Sequence, residues 1–154
     1  MLAIIIWVAG SGASVAIAQA TKSAPGDACS LITKEEAGTA LERTVRVQQV
    51  VAARPVGPGS TVSGCGYPAR GGRHLQVNLT RVSASSVAIP LAECEGKSKD
   101  GLAGLGDLAC WYNDKHRELH AVKGPAFVSI EIHGLSAPTE AITGLMKKAL
   151  GRLP

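Results

Sequence analysis

From His74 to Thr80 the chain alternates strictly: Leu75, Val77 and Leu79 fall between His74, Gln76, Asn78 and Thr80. That two-residue period predicts a half-buried strand over about 73–82. The period returns at 126–133, where Val128, Ile130 and Ile132 form one row, and Gly124-Pro125 joins this run to 117–123 as a hairpin. Weaker strand signals lie at about 44–52, 61–68 and 108–112. Turn-rich stretches separate them at Arg54 to Gly59, Arg70 to Arg73 and Gly101 to Gly106. The period then lengthens to that of a helix from about Thr139 to Arg152, with Ile142, Leu145, Met146, Ala149 and Leu153 on one side. A second helix is predicted from about Lys34 to Arg43, because Thr33 and Glu36 have capping-box spacing and an acidic first turn suits the helix dipole. A third, over 86–98, is weakened by Pro90. Strands that alternate apolar with polar predict an antiparallel sheet with one covered face. The fold class is therefore α+β: about six antiparallel strands, with helices packed on one face of a single domain.

The N-terminus reads differently. Residues 1–20 carry no charge, run apolar from Leu2 to Val8, turn small, and end in Ala18-Gln19-Ala20. An apolar core followed by A-x-A is what signal peptidase accepts, so cleavage after Ala20 is expected, although no Lys or Arg precedes the core. Residues 21–28 then form a flexible leader, and 29–154 the domain. The expected location is periplasmic or secreted, with no integral membrane segment left after processing.

All four cysteines, Cys29, Cys65, Cys94 and Cys110, lie beyond that segment. An even count in an exported chain predicts two disulfides. Three pairings are open; Cys29–Cys65 with Cys94–Cys110 is preferred because each bridge then stays within one half of the domain. No C-x-x-C pair supports a zinc site instead.

The stretch Asp27-Ala28-Cys29-Ser30-Leu31-Ile32-Thr33-Lys34-Glu35-Glu36 resembles the opening of small exported bacterial domains that begin D-x-C-x-L-L-T-x-x-E. Those domains carry a later Cys-x-Tyr, here Cys65-Gly66-Tyr67, a Gly-x-Gly-Asp turn, here Gly104-Leu105-Gly106-Asp107, and a Lys-Gly hairpin, here Lys123-Gly124. Many are lipoproteins or sensor ectodomains. No lipobox cysteine follows the signal in this chain. The resemblance implies location and fold type, not chemistry.

Charge narrows the function. Between Arg43 and Ala92 stand six arginines and no Asp or Glu, in a chain whose net charge is +4. A guanidinium grips phosphate or carboxylate by a planar fork of donors. Arg46, Arg54, Arg70 and Arg73 are therefore candidate anion-binding residues, and an anionic envelope component is the expected ligand. One Phe and two Tyr offer little for stacking bases, which argues against nucleic acid.

A second candidate depends on hairpin register. A two-residue Gly124-Pro125 turn places His120 opposite Ser129, Glu118 opposite Glu131 and His116 opposite His133. His116, Glu118, Glu131 and His133 on one strip are candidate divalent-metal ligands. The spacing His116-Arg117-Glu118-Leu119-His120 fits neither zinc-protease order, Gly101 to Asp107 lacks the Gly-Lys-Ser/Thr ending of a phosphate loop, and no Gly-x-Ser-x-Gly occurs. With every cysteine paired, no thiol nucleophile remains. The expected function is a non-catalytic envelope or periplasmic binding protein without a cofactor. The alternative is an inhibitor- or sensor-type domain that engages another envelope protein through its sheet face.

Overall fold

A computed structural model describes residues 26–83, 92, 94–136 and 138–154. The predicted signal segment 1–20 and most of the leader lie outside these residues. The elements are α1 (Lys34–Leu41), β1 (Gln48–Gly57), β2 (Ser60–Pro68), β3 (His74–Arg81), β4 (Leu108–Trp111), β5 (Glu118–Lys123), β6 (Ala126–His133) and α2 (Thr139–Gly151). The strands form one antiparallel sheet in the order β1-β2-β3-β6-β5-β4. Two three-stranded meanders thus meet along β3–β6, with the register running from His74↔His133 to Arg81↔Ala126.

One face of the sheet is the core. Leu75, Val77 and Leu79 of β3 lie beside Ile132, Ile130 and Val128 of β6, all buried. Leu41 of α1 and Ile142 and Met146 of α2 join the same cluster. Burying side chains of this size is worth roughly 1.5–3 kcal/mol each. The capping box on α1 is complete: the Glu36 N–H donates to Thr33 Oγ1 (3.2 Å), and the Thr33 N–H to Glu36 Oε2 (2.9 Å).

The disulfides are Cys29–Cys65 and Cys94–Cys110. The first ties a 3-10 turn, Ala28–Ser30, to β2, and the second ties a turn at Cys94 to β4. Closing loops of 36 and 16 residues destabilises the unfolded chain by about 4 and about 3 kcal/mol on the chain-entropy model.

Two expectations need correction. First, β1 begins at Gln48 and runs through Pro55 to Gly57, whereas the sequence predicts 44–52 followed by a turn. Proline is tolerated there because β1 is an edge strand with irregular pairing around that residue. Second, Asp27 and Ala28, expected in the flexible leader, are buried: Asp27 Oδ1 accepts from the Cys29 and Ser30 N–H groups, and the Ala28 N–H donates to Ser63 Oγ. The helix expected over 86–98 falls mostly on residues 84–91 and 93, which lie outside the described ones; Ala92 is helical, and residues 94–96 form a turn. Among the described residues no helix is long and apolar enough to cross a membrane.

Candidate anion-binding cleft

The helix end at α1 builds the site. Glu42 takes a left-handed conformation (φ 53°), and the Arg43 N–H closes onto the Gly38 carbonyl at 3.0 Å. The chain then turns so that buried Val45 pairs with Ala69 in a single antiparallel bridge, and the Arg46 N–H donates to the Pro68 carbonyl at 3.2 Å. On the other side, the Ala69 N–H donates to the Arg73 carbonyl (2.9 Å), closing the loop over Arg70, Gly71 and Gly72. Gly71 and Gly72 both adopt positive φ, 76° and 73°, which a side chain would strain.

These two short connections bring Arg43, Arg46 and Arg70 to one cleft of about 700 Å³, completed by Thr44, Pro68 and Ala69. All three arginines are exposed. Arg43 Nη1 donates to the Glu42 backbone carbonyl at 2.8 Å. Among the described residues none of the three belongs to an ion pair. The cleft is therefore positive without an internal counter-charge.

The structure redistributes the predicted set. Arg46 and Arg70 come together. Arg73 does not join them: its Nη1 donates to the Leu41 carbonyl (2.7 Å) and to Glu42 Oε2 (3.0 Å), so it caps α1. Arg54 pairs with Val62 on β2, six residues from Pro68, which at 3.3 Å per residue is roughly 20 Å. Arg43 was missed because its position reads as the last turn of a helix, whereas the helix stops two residues earlier.

On the sheet face away from the core the predicted hairpin register holds, with Glu118↔Glu131 and His120↔Ser129. Each glutamate contacts a histidine on its own strand: Glu118 Oε1 lies 2.8 Å from His120 Nε2, and Glu131 Oε1 lies 2.5 Å from His133 Nε2. His116 does not face His133. It sits in a tight turn at φ 49° and stacks on Trp111 (4.7 Å between ring centres), because β5 begins only at Glu118. His133 stacks instead on His74, at 4.3 Å. Burial, then His133, holds the His74 imidazole below its ordinary pKa, while Glu131 pulls the other way. Among the described residues no group of three or more His, Cys, Asp or Glu side chains is arranged to hold a metal ion.

The motifs behind the family resemblance all serve the frame. Tyr67 Oη donates to the Ile32 carbonyl at 2.6 Å, and burial pushes its pKa up to about 12. A Cβ on Gly106 would collide with the Val122 carbonyl, and Asp107 Oδ2 accepts the Gly124 N–H at 2.6 Å. The Gly-x-Gly-Asp turn and the Lys-Gly hairpin are thus one clamp. Comparison with protein-family models, curated proteins and solved structures finds no match to this chain.

Proposed function

We propose that this chain is an exported, non-catalytic binding protein of the periplasm or cell envelope, and that its Arg43–Arg46–Arg70 cleft takes up an anionic envelope component. One observation carries the reading: three guanidiniums line one cleft, and among the described residues no carboxylate is paired with any of them. Where this chain uses arginine for its frame, it provides a partner, as for Arg73 with Glu42 and Arg152 with Glu36. Three forked donors without one fit a phosphate or carboxylate brought by a ligand. Two disulfides are compatible with an oxidising compartment.

Retention on anionic cell-wall fragments tests the reading. The protein should bind at low ionic strength and release as salt shortens the screening length. Arg46→Ala with Arg70→Ala should abolish retention, and Arg54→Ala should preserve it. Absence of retention at low salt, or equal retention of all variants, would refute the proposal.

A second reading, docking of another envelope protein on the sheet, draws on edge strand β1. There Val50 and Val56 are 50% and 51% exposed, and an open edge can template a partner strand. Val56→Lys should then remove that partner and leave anion binding intact.

A further inference from the structure

The arginine cleft does not stop at Ala69. Pro68 and Ala69 also wall a second hollow, of about 330 Å³, whose other sides include Gln48, Val50, His74 and Gln76. The two hollows therefore abut along one ridge. Their chemistry differs sharply. The first presents three positive forks. The second presents two neutral carboxamides and an imidazole beside the apolar surfaces of Val50 and Pro68, and its lining also includes Arg73, whose guanidinium is engaged by Glu42 and the Leu41 carbonyl. Gln76 Nε2 donates to Asn78 Oδ1 at 3.2 Å, and a carboxamide has further donor and acceptor capacity beyond one such bond. His74 is stacked on His133, so its ring is held in place.

We infer that the ligand is an anionic oligosaccharide. Its carboxylate or phosphate lies among Arg43, Arg46 and Arg70, and a neighbouring sugar residue crosses Pro68–Ala69 to reach Gln48, His74 and Gln76. The inference rests on the proposed function and adds the substrate class. Sugar hydroxyls both donate and accept, as carboxamides and imidazole do, and sugar C–H faces pack on apolar surface such as Val50. A lone anion would leave the second hollow unused. A lipid would need a long apolar run for its chains, and among the described residues the apolar side chains lining the two hollows are Pro68, Ala69, Val50 and Tyr67.

Calorimetric titration of the intact protein separates these cases. The probes are inorganic phosphate, monomeric galacturonate, hexameric oligogalacturonate, a phosphorylated hexasaccharide, and vesicles containing phosphatidylglycerol. A hexasaccharide of one of the two kinds should bind at least tenfold tighter than its isolated anion, and that kind identifies the charged group. Gln48→Ala and Gln76→Ala should each weaken hexasaccharide binding about threefold or more and leave phosphate binding unchanged. Gln48 is exposed, so its variant remains informative if Gln76→Ala fails to fold. Equal affinity for monomer and hexamer, or indifference to both glutamine substitutions, overturns the oligosaccharide inference and leaves the cleft standing. Vesicles that outcompete both hexasaccharides overturn it in favour of a lipid surface. Failure of every probe to bind removes the cleft reading itself.

Discussion

At the junction of α1 and α2, Arg152 grips Glu36 with both prongs, Nη1–Oε2 at 2.6 Å and Nη2–Oε1 at 2.9 Å, while Lys148 Nζ stands 3.3 Å away. The same Arg152 Nη1 also donates to the Leu31 carbonyl. Beyond the other end of α1, Arg43, Arg46 and Arg70 converge with no carboxylate to answer them among the described residues. The first region shows arginine as a fastener: its charge is neutralised and the fork's geometry joins two helices. The second shows the same side chain left unneutralised at an open cleft. Among the arginines at the two ends of α1, pairing with a carboxylate marks the frame, and its lack marks the cleft.

The largest effect should come from emptying the cleft. Replacing Arg46 and Arg70 together with alanine removes two charge-assisted contacts, and anion affinity should fall about 100-fold with an unchanged melting temperature. Glu36→Gln should do the reverse. The bidentate contact with Arg152, against the opposing effect of burial, holds the Glu36 carboxyl down at about 2. The Arg152 side chain is a third exposed, so solvent screens the pair, and the loss is roughly 1–2 kcal/mol. That lowers the melting temperature by roughly 5 °C, with anion affinity unchanged by titration.

A pH series sharpens the contrast. Because the folded-state pKa lies below its ordinary value of 4.5, Glu36 contributes its full stabilisation above that value and loses it as pH falls toward 2. The melting temperature should therefore drop between about pH 5 and pH 2, and drop less in Glu36→Gln. Arg73→Ala should have a small effect on the cleft. Its partner Glu42 has a side chain 70% exposed, so the ion pair contributes below about 1 kcal/mol; the lost bond to the Leu41 carbonyl adds roughly 1 kcal/mol, and phosphate binding should persist. An Arg73→Ala variant that lost binding would place Arg73 back in the site.

The frame was legible where a local rule acts alone. Thr33 and Glu36 announce α1, the Leu75-Val77-Leu79 row announces β3, and Gly124-Pro125 fixes the register of β5 with β6. The edge strand was less legible, because Pro55 reads as a break and only its place at the sheet margin makes it harmless. The site was half legible. The acid-free run of arginines marks the right segment, but which of them converge depends on the Val45↔Ala69 bridge, a contact 24 residues apart in sequence. Arg73 looks identical to Arg70 until Glu42 and the Leu41 carbonyl claim it. His116 shows the same limit, since a left-handed turn before β5 ends the hairpin strip two residues short of it.

Guanidinium Nε–H resonances followed by NMR during titration with an anionic hexasaccharide test the central claim most directly, because they report each arginine separately. The account predicts saturable shifts at Arg43, Arg46 and Arg70, with Arg54 and Arg152 unmoved. Shifts spread evenly over all arginines, or absent from Arg43, Arg46 and Arg70, would contradict it.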